Sequence, residues 1–113
     1  MIGIDIVKVE RIRKVMQKHP RFLTRIFSAR EREYLSKKGN NPINIAGFFA
    51  AKEAAVKVFG GNIKDFEVLH DTNGRPYIHC KNGNYCASIS HEREFAVAIC
   101  EQAAYNLLEE YNQ

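Results

Sequence analysis

The fourteen residues Phe48-Phe49-Ala50-Ala51-Lys52-Glu53-Ala54-Ala55-Val56-Lys57-Val58-Phe59-Gly60-Gly61 constrain the fold most. Alanine and other apolar residues fill this stretch and two glycines stop it, which predicts one long helix from about Ile43 to Phe59. Glu53 and Lys57 stand four residues apart and share a helix face. Lys52 lies about 100° round the helix from Glu53. A carboxylate beside lysines on so apolar a helix has two readings. One is a solvated ion pair, the common state of such pairs. The other is a metal ligand next to phosphate-binding lysines.

The remainder of the chain reads as strand, helices, then strands. Met1 to Val7 is rich in β-branched residues and reads as a strand. Asp5 is unusual there: in a central strand its carboxylate would need a partner or a cation, and at a strand end it could cap the next element. Val9, Ile12, Val15 and Met16 recur at helical spacing among Lys8, Arg11, Lys14 and Lys18, giving a basic amphipathic helix. Pro20 breaks it and opens a short second turn to Phe27, which carries Arg21 and Arg25 beside Phe22, Leu23 and Ile26. Ser28 and Glu31 form a capping box that starts a helix ending near Gly39. After Gly61 the pattern becomes Phe66–Leu69, Pro76–Cys80, Tyr85–Ser90 and Phe95–Cys100, four strands joined by turns at Asp71-Thr72-Asn73-Gly74, Asn82-Gly83 and His91–Glu94. Alternation is weak in the last two strands, as in strands buried on both faces. Gln102 to Tyr111 predicts a short final helix, an extension of the single domain 1–113. This order gives an α+β fold with an antiparallel sheet.

Composition narrows the function. A chain of 113 residues, 45% hydrophobic, suits one domain. No apolar run nears the ~20 residues of a membrane helix, and the apolar start, with Asp5 and Lys8 already charged, is too short for a signal peptide. A soluble, cytoplasmic protein with no membrane partner is expected. Cys80, Cys86 and Cys100 are odd in number and lack a CxxC spacing, so reduced thiols on strands are expected. Residues 1–38 hold eleven Lys/Arg against four Asp/Glu, and residues 39–113 hold six against nine. A first third at +7 suggests an acidic partner: a nucleic acid, a phosphorylated cofactor or an acidic protein. Solvated helix faces account for the charge equally well.

Asp5 and Glu53, if they converge, can hold Mg²⁺, which takes few protein ligands and completes its shell with water and phosphate oxygens. Lysines on the same helix would then meet the remaining phosphate charge, making a site for a diphosphate. No GxGxxG, GxxxxGK[ST] or GxSxG motif is present. Ser88-Ile89-Ser90-His91 reads as a polar strand end, with His91 a possible donor to a phosphate or base.

Gly3-Ile4-Asp5-Ile6-Val7, Phe49-Ala50-Ala51-Lys52-Glu53-Ala54, Lys57-Val58-Phe59-Gly60, Asn73-Gly74-Arg75-Pro76 and Ser88-Ile89-Ser90-His91, in this order, resemble the holo-[acyl-carrier-protein] synthases, a family of 4′-phosphopantetheinyl transferases. The resemblance runs from residue 1 to about 101. It implies the phosphopantetheinyl transferase-like α+β fold. It also implies transfer of 4′-phosphopantetheine from coenzyme A to a serine of apo-acyl carrier protein, with release of adenosine 3′,5′-bisphosphate, in fatty acid biosynthesis. By the same resemblance Asp5 and Glu53 are the acids that bind Mg²⁺, Lys57 meets the diphosphate, and Lys52 assists it. His91 lies near the nucleotide end of coenzyme A, and Arg11 contacts the acidic carrier protein. Position and charge add Lys14, Lys18, Arg21, Phe22 and Arg25 to that surface. Glu53, directly or through a water, is the candidate acceptor of the serine proton, and Lys57 would stabilise charge on the leaving bisphosphate.

The resemblance implies a homotrimer with active sites at subunit interfaces and no nucleic-acid partner. Three departures stand out. Phe48 occupies a place where the family usually has Arg, so that charge is absent or comes from Arg75 or Arg93. The stretches after Gly61 and after Cys80 look short. Residues 102–113 have no place in the pattern. Two other readings compete: a non-catalytic basic module binding nucleic acid or an acidic protein through residues 8–38, and a structural subunit that has lost its chemistry.

Overall fold

A computed structural model describes residues 1–106. Strand β1 (Ile2–Lys8) runs directly into helix α1 (Val9–Lys18), followed by α2 (Phe22–Ile26), α3 (Ala29–Lys37) and the long α4 (Pro42–Phe59). A 3₁₀ turn (Ile63–Asp65) leads to β2 (Glu67–His70), β3 (Pro76–Cys80), β4 (Gly83–His91) and β5 (Phe95–Ala104). The strands form one sheet in the order β1-β5-β4-β3-β2 with every pairing antiparallel. The α+β architecture expected from the sequence is present.

Local chemistry sets the helix boundaries. Ser28 Oγ accepts the Glu31 N–H while Glu31 accepts the Ser28 N–H, the capping box predicted for α3. Asn41 caps α4, with Pro42 in its first turn. Gly60, at φ 75°, ends α4 in a backbone conformation that glycine adopts without strain.

Helix α4 is the centre of the core. Ala46, Ala50, Ala51, Ala54 and Ala55 are wholly buried, and α4 packs against β1, β5 and β4 on one side and α1 on another. The sheet meets it with small residues too: Ala96, Ala98 and Cys100 of β5 are buried. Close approach culminates at Gly3. A Cβ there would overlap the Ala54 carbonyl oxygen and come within 2.8 Å of Val58 Cγ2. Gly3 thus sets the gap between β1 and α4.

Two expectations need correction. Gln102–Ala104 continue β5 instead of opening a helix, because Gln102 donates to the Met1 carbonyl and Ala104 pairs with Tyr85. The rest of that predicted helix, 107–111, lies outside the described residues. Nor is β5 buried on both faces. Ala96, Ala98 and Cys100 are covered by α4, while Phe95 and Ile99 on the other face are exposed. Ile2, Ile4 and Ile6 of the adjoining β1 are exposed as well, at 55–63%. Apolar residues on both faces blurred the alternation, although only one face is covered among the described residues. The three cysteines are free, on β3, β4 and β5. Burial pushes the Cys100 thiol up to about 11. Among the described residues no helix is long and apolar enough to cross a membrane.

Candidate active site

Side chains of β1 alternate strictly. Gly3, Asp5 and Val7 face α4, and the three isoleucines face away. Gly3 lies against Ala54 and Val58, so Asp5 lies beside the turn of α4 that carries Glu53 and Lys57. Lys57 closes the gap: its Nζ donates to the Ile4 carbonyl at 2.8 Å and to Asp5 Oδ1 at 3.2 Å. The Lys57 side chain is 54% exposed and that of Asp5 17%. Glu53 stands one turn before Lys57 on the same helix face, half-buried, with no hydrogen bond or ion pair among the described residues.

Asp5 and Glu53 offer hard carboxylate oxygens at this strand–helix junction, and Lys57 adds a positive charge beside them. Carboxylate oxygens are the ligands that Mg²⁺ takes, and it takes few of them from protein. No cluster of three or more His, Cys, Asp or Glu with metal-binding placement exists among the described residues, which excludes a zinc-type cage there.

Lys52 does not join this group. Its side chain is 1% exposed and turned the other way, donating to Glu31 Oε1 and to the Ile26 carbonyl, both at 2.7 Å. Burial lowers its pKa, and Glu31 opposes that shift. The expectation that Lys52 assists at the diphosphate is therefore corrected. Its ammonium is committed to the core, about 100° round the helix from Glu53. Glu31 was legible in the sequence only as a cap. The stronger signal was a lysine on an apolar helix, because a buried cation implies a buried acid somewhere in the chain.

His91 is exposed at the end of β4, two strands from Asp5 across β5. It borders a cleft of about 180 Å³ together with Tyr34, Asn44, Phe48, His70 and Pro76. Phe48 is buried there, its ring 5.4 Å from Tyr34 and 5.7 Å from His70. Tyr34 and His70 stack in parallel at 4.1 Å, and burial lowers the His70 pKa. The position that departs from the family pattern is thus an aromatic wall. Arg75 and Arg93 lie exposed in the β2–β3 and β4–β5 turns.

The basic residues of the first third gather on one surface. Arg11, Lys14 and Lys18 are exposed along one face of α1 and border a hollow of about 310 Å³. Arg21, Phe22 and Arg25 line an adjacent groove of about 470 Å³ with Val15, His19 and Ile26. Helix α1, which carries Arg11, Lys14 and Lys18, follows the Asp5 strand without a break.

The model of the 4′-phosphopantetheinyl transferase superfamily matches residues 1–100. The chain belongs to this family. The holo-[acyl-carrier-protein] synthase of Alkaliphilus metalliredigens (strain QYMF) is 46% identical over 113 residues, covering 86% of this chain and 93% of that one. The synthase of Caldanaerobacter subterraneus subsp. tengcongensis is 39% identical, covering 87% and 90%. Among solved structures, the Helicobacter pylori holo-[acyl-carrier-protein] synthase in complex with coenzyme A superposes with a TM-score of 0.78 at 33% identity. That match covers 88% of this chain and 97% of the other. The Bacillus anthracis str. Ames synthase, in complex with CoA (3′,5′-ADP), gives 0.74 at 37% identity, covering 88% and 91%. The chain is accordingly an enzyme, a phosphopantetheinyl transferase, and the reading as a non-catalytic basic module falls.

Proposed function

We propose that this chain transfers 4′-phosphopantetheine from coenzyme A to the serine hydroxyl of an apo-acyl carrier protein, in the cytoplasm, for fatty acid biosynthesis. The observation that carries the site assignment is Lys57 clasped to Asp5 beside an unpaired Glu53. Asp5 and Glu53 would hold Mg²⁺. When bound, the ion supplies charge neutralisation at the diphosphate.

The residues of the chain then have separate tasks. Glu53 takes the proton from the attacking serine, whose oxygen forms the new bond to the phosphorus on the pantetheine side. The bond from that phosphorus to the bridging oxygen breaks, and its electron pair leaves with adenosine 3′,5′-bisphosphate. Lys57, more than half exposed, can swing from Asp5 to the developing charge on that leaving group. His91 and the aromatic cleft beside it receive the nucleotide end. The nucleophile belongs to the partner, so none is needed here.

Arg11, Lys14, Lys18, Arg21 and Arg25 dock the acidic carrier, with Phe22 and the groove between α1 and α2 as its apolar seat. The enzyme works as a homotrimer. Support comes from the uncovered face of β1 and β5, where Ile2, Ile4, Ile6, Phe95 and Ile99 are exposed together.

Intact mass of an apo-acyl carrier protein, incubated with this protein, coenzyme A and Mg²⁺, tests the reaction. A gain of one phosphopantetheinyl group, abolished by EDTA, is expected. No gain with intact carrier and coenzyme A overturns the assignment.

A further inference from the structure

The side of α4 that carries Lys52, about 100° round the helix from Glu53, holds a device that the proposed chemistry does not use. Glu31 is 1% exposed, yet its carboxylate is fully engaged. Oε1 accepts from the Ser28 N–H at 2.9 Å and from Lys52 Nζ at 2.7 Å, and Oε2 accepts from the Val68 N–H at 2.8 Å. One side chain thereby ties the start of α3, strand β2 and helix α4 together. Lys52 completes the tie through the Ile26 carbonyl and lies 5.1 Å over the Phe27 ring. No buried side-chain nitrogen or oxygen among the described residues lacks a partner.

Such a pair needs a reason. Apolar residues of similar volume often serve stability as well as a buried ion pair does. What an ion pair adds is direction. The remainder of the α4 interface is poor in direction, since alanines of the helix meet Ala96, Ala98 and Cys100 of the sheet. Small, smooth side chains interdigitate weakly and leave helix rotation loosely defined. Rotation matters here. A carboxylate about 6 Å from the helix axis moves about 1 Å for each 10° of rotation. Misplacement on that scale can cost about a hundredfold in rate.

We propose that Glu31 and Lys52 are positioning residues: their buried ion pair fixes the rotation of α4 and so holds Glu53 and Lys57 in place against Asp5. This rests on the function proposed above. Lys52 and Glu53 are consecutive, so anchoring one aims the other. The pair touches neither substrate nor metal and acts through the helix.

The test uses the double variant Glu31→Gln with Lys52→Met, which removes both charges and keeps an acceptor for the Val68 N–H. Leu35→Ala, a cavity in the same core, serves as a control for lost stability. Mn²⁺ binding is titrated by electron paramagnetic resonance in the presence of coenzyme A. The Mg²⁺ dependence of transfer and the KM for apo-acyl carrier protein are measured beside it. The double variant is expected to keep a native circular dichroism spectrum, bind Mn²⁺ at least about tenfold more weakly and lose at least about tenfold in kcat, with the carrier KM unchanged. Leu35→Ala is expected to keep wild-type Mn²⁺ affinity. A folded double variant with wild-type Mn²⁺ affinity and kcat overturns the proposal, as does equal weakening in Leu35→Ala. Should the double variant fail to fold, the near-isosteric Glu31→Gln is put through the same measurements, and the same results support or overturn the proposal. A wild-type protein that binds Mn²⁺ with coenzyme A but transfers nothing would defeat the reaction proposed above, and the Mn²⁺ titration would still decide the role of the pair.

Discussion

Lys52 and Lys57 lie five residues apart on α4, and each meets a carboxylate from another element. The Lys52–Glu31 pair is 1% and 0% exposed, whereas the Lys57–Asp5 pair is 54% and 17% exposed. Burial divides their work. In the core a charge must be matched and hydrogen-bonded permanently, so the first pair is structural and fixed. At the surface water screens the attraction, the bond contributes little to stability, and the lysine is free to exchange partners. Of the two ammonium groups, only that of Lys57 is open to an incoming anion.

The contrast is sharpest in single variants. Lys52→Met should destabilise the fold by about 3–5 kcal/mol, because it strands a buried carboxylate, with urea unfolding as the measurement. Lys57→Met should change stability by less than about 1 kcal/mol, yet lower kcat/KM by about 10²–10³. Comparable stability losses in the two variants would erase the distinction. Glu53→Gln should follow Lys57→Met, inactive and fully folded.

Next in size is Gly3→Ala. The added methyl group pushes β1 from α4 and should cost about 1–3 kcal/mol, with a weakened Mg²⁺ dependence of rate because Asp5 moves with the strand. Wild-type metal dependence in this variant would show that the gap does not set the site. Smaller again is the effect of reversing charge at Arg21 and Arg25. About a tenfold rise in KM for the carrier, shrinking as salt rises, is expected with kcat intact.

The smallest effect is in the pH dependence of the core. The Cys100 thiol has a folded pKa of about 11, raised from 9.0. Above pH 9 the unfolded chain loses this proton while the folded chain keeps it, so stability falls as pH rises from 9 toward 11. Cys100→Ala should flatten that decline in thermal melts, while leaving the site of Asp5 and Lys57 untouched.

Sequence patterns made much of this legible. The α4 boundaries, the capping box at Ser28 and the strand-and-turn pattern after Gly61 rest on local chemistry that the segments themselves carry. Family resemblance named Asp5, Glu53 and Lys57 as residues of one site, but the direct contact of Asp5 with Lys57, 52 positions apart, appears only in the packed structure. Two features escaped for a physical reason. Lys52 looked like Lys57, because burial is a property of the packed helix and not of the residue. The end of β5 looked helical at Gln102–Ala104 because its strand identity comes from the Met1 carbonyl and the pairing with Tyr85.

Strand β1 carries one further consequence. Its even-numbered isoleucines face outward, and Gly3, Asp5 and Val7 face the helix. Its pairing with β5 sets Gly3 opposite Cys100, Asp5 opposite Ala98 and Val7 opposite Ala96. A slip by a single residue would flip every side chain at once. Isoleucine would then be driven into the space that only Gly3 fits, and Asp5 would face outward among apolar neighbours. Mispaired chains would lose the acid and spoil the outer surface together, so a chain that presents this isoleucine face is by the same geometry one with its carboxylate in place.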